Sequence, residues 1–264
     1  MQSIRKSRTP WQIQKSVIFA LFIRELRARS GHYNGGYIWL LVEPFLHILA
    51  LSMIRGLLRD QSMYGIDYPV FIAVAIVPFI LFRNITLRVM EAVEANRGLF
   101  VFKQIRPFDT FLGRALLDSI VSVVVFILIM TIMAWVGFST PFKDPLVIMI
   151  LSGILILKGL GLGMVFCMLI FYMPELRIVL RMSMLPLYFT SGVIFPLSRM
   201  PQEWLPFLMW NPLLHATELI RHAFFAQYDM VPGISPPYLM MCTLALLALG
   251  LAWYWSRRLE MLAR

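Results

Sequence analysis

The sequence predicts an all-α membrane protein: six spanning helices, an interfacial helix before them, and short helices in two of the links. Three observations carry this. Of the 264 residues, 59% are hydrophobic and 14% are charged, whereas a soluble domain is about a quarter charged. Mean hydropathy is +0.76. The apolar residues are gathered into six runs of the length that about 30 Å of hydrocarbon requires. A net charge of +10 suits nucleic acid, but the basic residues flank apolar runs and no base-reading motif accompanies them.

In chain order, residues 11–30 mix seven consecutive apolar residues with Lys15, Arg24, Arg27 and Arg29. That run is too short to cross a bilayer. It reads as a helix in the membrane interface, with Trp11 and the arginines at headgroup level, or as a soluble N-terminal helix. It lacks a small-residue cleavage site, so no cleavable signal peptide is expected. The turn residues HYNGG at 32–36 end it. Spans are expected at 37–58, 69–89, 115–138, 146–173, 178–195 and 238–255.

The polar interval 91–114 separates the second and third spans. Within it, 95–107 mixes Leu99, Phe100, Val101, Phe102 and Ile105 with Arg97, Lys103 and Arg106, and ends at Pro107. A short helix with an apolar and a basic face suits a membrane surface or a partner protein; a solvated connector is the plainer reading. Residues 196–237 carry seven prolines with Trp204 and Trp210. Two short apolar helices there, at 203–210 and 213–227, read as a re-entrant or interfacial element, or as a compact loop. One membrane domain covers the chain.

Basic residues set the orientation. Sixteen lie in the N-terminal segment, 91–114, 174–181 and the tail, against five on the other side. Both termini are therefore expected to be cytoplasmic.

Ionisable groups inside a span are costly, so each needs a reason. Glu43 falls roughly 10 Å above the inner end of its span; Arg83 and Lys158 fall roughly 20 and 18 Å below the outer ends of theirs. Glu43 has Arg83 or Lys158 as possible partners, either to fix packing or to line a path. Asp118 and Arg88 sit near span ends, where they can snorkel. Tyr37, Trp39, Phe45 and Phe82 are candidates to stack on sugar faces, or they are lipid and packing contacts. Gly159, Gly161 and Gly163 follow Lys158, yet the chain has no Gly-Lys dipeptide; the glycines suit close helix approach, not a phosphate loop. His215, Glu218 and His222 share a helical face, but no fourth ligand is evident. Cys167 and Cys242 lie in apolar runs as packing residues. No nucleophile–base set appears.

The order of parts resembles the transmembrane subunit of an ABC-2 type exporter. ANRGLFVFKQIRPFDTFLGR at 95–114 resembles the cytoplasmic loop of capsular polysaccharide exporters. TSGVIFPLSRMPQEWLPFLMWNPLLHATELIRHAFF at 190–225 resembles their outer gate. The resemblance implies the ABC-2, or type V, exporter fold and a non-catalytic permease working as a homodimer with two ATPase subunits. ATP and Mg would be held by the ATPase, with no cofactor in this chain. Arg97, Gly98, Leu99, Phe100, Phe102, Lys103, Arg106 and Pro107 would form a coupling helix in an ATPase groove. Arg24, Arg27 and Arg29 would stand at the way in for a lipid-linked acidic polysaccharide, with Arg83 and Lys158 as counter-charge. A periplasmic gate would be built from Phe195, Pro196, Trp204, Trp210, Asn211, Pro212, His215, Glu218 and Arg221. Further partners would be a co-polymerase-type adaptor and an outer-membrane channel, with the chain in the bacterial inner membrane. O-antigen or teichoic-acid-like polymer is the neighbouring reading. An ATP-independent transporter is the reading from another class, though no inverted repeat supports it.

Overall fold

The computed structural model describes residues 9–30, 36–57, 62–63, 65–102 and 104–263, and these are mostly helical. Helices α1 (Pro10–Ser30) and α2 (Gly36–Leu57) come first. A two-residue antiparallel ribbon follows, β1 (Ser62–Met63) with β2 (Ile66–Asp67). Then come α3 (Tyr68–Met90), α4 (Ala92–Ala95), a 3-10 turn at Arg97–Leu99, α5 (Pro107–Val136), α6 (Pro145–Tyr172), α7 (Leu176–Met182) and α8 (Met184–Thr190). A second 3-10 turn at Leu197–Arg199 precedes α9 (Leu205–Leu208), α10 (Pro212–Phe224) and α11 (Pro236–Ala263). Among the described residues α3, α5, α6 and Pro236–Met261 are long and apolar enough to cross a membrane, and α2 adds the shorter apolar stretch Leu41–Ile54.

Helix α3 is the axis of the bundle. It is apolar on nearly every face from Val70 to Phe82 and buried there, against α2, α5, α6 and α10. A helix apolar all round belongs in the middle of a membrane bundle. Helix α6 lies between α3 and α11, and its glycines explain how. A Cβ on Gly163 would sit 2.7 Å from Val89 Cβ, and one on Gly159 would sit 3.0 Å from the Phe82 carbonyl, so both face α3. Gly161 faces α11, where a Cβ on Gly250 would sit 3.0 Å from the Gly161 carbonyl. Small residues let backbones close up where no hydrophobic effect drives helices together. Gly163→Val is therefore expected to destabilise the bundle by about 1–3 kcal/mol, read as a lower melting point of the detergent-solubilised protein.

Helix α1 runs along the start of α5, where Gly113 admits Leu21. Arg114 Nε donates to Glu25 at 2.9 Å, and Arg114 Nη1 donates to the Arg88 carbonyl at 2.7 Å.

Several expected boundaries change. The third span begins at Pro107, eight residues earlier than expected. Pro suits the first helical turn, and the Asp109 carboxylate accepts the Arg106 N–H at 2.9 Å. That helix ends on Gly137, whose φ of +101° supplies the left-handed cap. Asp118 is thus well inside the helix, buried and 3.3 Å from Arg88 rather than free to snorkel. The fifth stretch is broken at Ser183 and ends at Thr190, not 195. Pro186 has no N–H for the Met182 carbonyl and its ring crowds that turn. The 15 residues from Leu176 to Thr190 reach about 22 Å, short of a bilayer's hydrocarbon. The last helix continues past 255 to Ala263.

Candidate functional site

The interval 95–107 is not a helix. The Asn96 side chain donates to the Ala92 carbonyl at 2.7 Å and closes α4; Gly98 and turn residues at 100–102 and 104 follow, until Pro107 opens α5. What the sequence presents as an amphipathic helix is a knuckle of turns. It is nonetheless fixed from both sides. From α1, Arg24 donates to Asn96 and Gln14 to Asp109. From α7, Arg177 pairs with Glu94 and Arg181 with Glu91. Phe100 and Leu99 are half-buried, while Val101 is 82% and Phe102 62% exposed. Arg97, Gly98 and Arg106 are also exposed, and Pro107 is buried. Lys103 lies outside the described residues. The result is an apolar tip, braced at its base, with basic neighbours. Val101 was missing from the expected contact set, and the four acids and arginines that brace α4 were not foreseen. Two arginines one helical turn apart, opposite two acids three apart, were the available signal.

At the other end of the bundle, α10 is buried among α3, α6 and α11. Asn211 caps it by accepting the Leu213 N–H at 2.9 Å, and its amide donates to Thr190 and Ser191 at 3.0 and 3.1 Å. Pro212 takes the first helical position. Glu218 and Arg221 have no solvent exposure. Arg221 donates to the Gly192 and Val193 carbonyls, both at 2.7 Å, and lies 3.3 Å from Glu218. Its guanidinium stacks 3.9 Å above the Phe71 ring. Tyr228 donates to Glu218 at 2.8 Å. His215 Nδ1 accepts the Ser235 N–H at 3.0 Å, so Nε2 carries the proton to the Met209 carbonyl at 2.8 Å. Asn211, His215, Glu218 and Arg221 therefore form a lock, not an exposed polar face. It holds the bend at Gly192, whose φ is +65°. His222 donates from Nδ1 to the Tyr228 carbonyl instead of joining a metal set. Pro196 is buried, whereas Phe195, Trp204, Phe207 and Trp210 are exposed, as interfacial anchors are. The expected helix at 203–210 is only one turn, α9.

Between the two ends, Arg83 is the partner of Glu43. It also donates to Asn84 Oδ1 at 3.2 Å. Arg83, with Glu43 behind it on α2, borders a slot of about 550 Å³ between α2, α3 and α8. Tyr188 meets Phe79 edge-on with ring centres 5.1 Å apart, and His47 at 6.2 Å. Lys158, at the middle of α6, is 2% exposed, and its Nζ has no hydrogen-bond partner among the described residues. Phe82 is fully buried beside Phe79. Neither Lys158 nor Phe82 lines an open path in this conformation. Phe45 is exposed; Arg24 is half-exposed and Arg27 exposed. The side chains of Arg29, Tyr37 and Trp39 lie outside the described residues.

Known proteins resemble the chain over most of its length. The family model for the ABC-2 type transporter matches residues 16–225. The polysialic acid transport protein KpsM of Escherichia coli is 38% identical over 256 residues, covering 97% of this chain and 99% of that protein. The capsule polysaccharide export inner-membrane proteins CtrC of Neisseria meningitidis and BexB of Haemophilus influenzae are each 28% identical. CtrC covers 91% of this chain and 90% of its own length, and BexB covers 90% of both. The chain belongs to the ABC-2 type transporter family.

Proposed function

We propose that this chain is the membrane-spanning subunit of an ATP-driven exporter that moves lipid-linked acidic capsular polysaccharide across the bacterial inner membrane. It works as a homodimer with two ATPase subunits that hold ATP and Mg, while the chain itself is non-catalytic. All six apolar stretches belong to the membrane, α2 and the broken α7–α8 included. The basic end, with both termini, faces the cytoplasm. The lock around Arg221 belongs to a periplasmic gate. A co-polymerase-type adaptor and an outer-membrane channel continue the path.

The single observation that carries this reading is the Val101–Phe102 tip. An apolar knuckle ringed by arginines and braced by ion pairs is built to seat in another protein. The relatives supply the cargo class: each is named for capsule or polysialic acid transport.

The test deletes the chain from its host and asks for three results. Surface acidic polysaccharide disappears, glycan accumulates inside, and the tagged, restored chain brings down a phosphate-loop ATPase. Persistence of surface glycan, or purification without any ATPase, overturns the assignment.

The braces yield a second expectation. Exposed ion pairs contribute only about 0–1 kcal/mol each, so Arg181→Glu should barely change stability. It sets a third acid beside Glu91 and Glu94, however, and uncouples α7 from the knuckle. Surface polysaccharide is expected to fall several-fold, and adding Glu91→Arg should return most of it.

A further inference from the structure

We infer that the slot between α2, α3 and α8 is the track for the acidic sugar residues, with Tyr188 as the stacking surface and Arg83 as the carboxylate-binding cation. This rests on the exporter reading and names where the cargo touches the chain. The slot follows α3 from Ile76 to Leu87, about 16 Å along the helix axis. Arg181 stands at its basic end and Ile194 at the other. It is therefore aligned with the direction of transport and long enough for several sugar units.

The slot is mainly apolar, with His47, Arg83 and Asn84 set along it to meet the polar groups of a sugar acid. Tyr188, half-buried, presents an aromatic face to C–H groups with the buried Phe79 ring behind it, and the Tyr188 hydroxyl has no hydrogen-bond partner among the described residues. His47 and Asn84 offer hydrogen bonds to hydroxyls, while Arg83 offers positive charge. An acyl tail would leave those polar groups along its length unmatched. Glu43 completes the device. Without cargo it neutralises Arg83; a sugar carboxylate arriving in the slot takes the same place. Arg83 thus exchanges one carboxylate for another and is never stranded as a lone charge within the membrane.

The test places a photo-crosslinker in the full chain, in cells making the polymer, by Tyr188→p-benzoylphenylalanine. Ile127, exposed on the outer face of α5, serves as the control position. Irradiation is expected to give a high-mass adduct at position 188 that stains with a cationic dye for acidic glycan, and none at position 127. Tyr188→Leu should cut surface polysaccharide at least fivefold at unchanged chain level, whereas Tyr188→Phe stays within twofold. A lipid-only adduct, a cross-link to a second copy of the chain, or equal glycan at both positions overturns the assignment. So does full export by Tyr188→Leu. If deletion of the whole chain abolishes export while position 188 captures no glycan, only the slot falls and the exporter reading stands.

Discussion

Arg221→Gln is expected to reduce the folded protein in the membrane to a small fraction of its normal level. The guanidinium makes three kinds of contact at once. It donates to the Gly192 and Val193 carbonyls, faces Glu218, and lies over Phe71. None of these groups touches solvent on the Arg221 side. Truncation leaves Glu218 as a buried carboxylate supported only by Tyr228. Removing one partner of a buried pair costs about 3–5 kcal/mol, against a total stability of about 5–15 kcal/mol for a typical domain. The measurement is the monodisperse yield of fluorescently tagged chain in mild detergent. Glu218→Gln added to Arg221→Gln removes the stranded charge and should recover part of the loss. If Arg221→Gln gives normal yield and a normal melting point, the lock contributes nothing to the fold. Gly192→Ala approaches the same bend from the other partner: a Cβ there would meet Leu214 Cδ1 at 2.7 Å.

The sequence made the membrane class and the helical runs legible because burial in lipid leaves a simple record: long apolar stretches bounded by charge and proline. It also made the glycines of α6 legible, since close approach leaves small residues at helical spacing. Helix ends inside polar text were harder. Pro107 looked like the end of the loop and is the start of α5, because proline serves a helix's first turn as well as a linker. The break at Ser183 is caused three residues later by Pro186, so hydropathy alone carries a span straight through it. The sequence sets His215, Glu218 and His222 on one helical face, and the resemblance places His215, Glu218 and Arg221 in a gate. The real partners of Glu218 and Arg221 are main-chain carbonyls at 192 and 193 and the Tyr228 hydroxyl, which no spacing on α10 announces. Pairing across the bundle was half visible: depth arithmetic offered Glu43 both Arg83 and Lys158, and only the packing of α2 on α3 chooses Arg83.

The knuckle at 97–106 makes the sharpest functional prediction, because there a side chain can be changed without touching the bundle. Phe102 is exposed, and its ring is free to enter a partner's pocket. Full burial of such a side chain is worth about 1.5–3 kcal/mol, or roughly 10- to 150-fold in affinity. Phe102→Asp loses that term and also asks the partner to bury a carboxylate. Attachment of the ATPase is therefore expected to weaken at least tenfold, and surface polysaccharide to fall with it. Chain level and melting point should stay normal, since nothing inside the bundle depends on the tip. Val101→Asp should behave alike. Phe100→Asp should not: Phe100 is half-buried against the groove under α11, so its replacement should lower the melting point as well. A melting point that drops equally for all three would mean that the knuckle is merely part of the packed end. Normal ATPase capture by Phe102→Asp and Val101→Asp would put the motor's seat elsewhere, and the braces from α1 and α7 would then be holding a loop with no mechanical task.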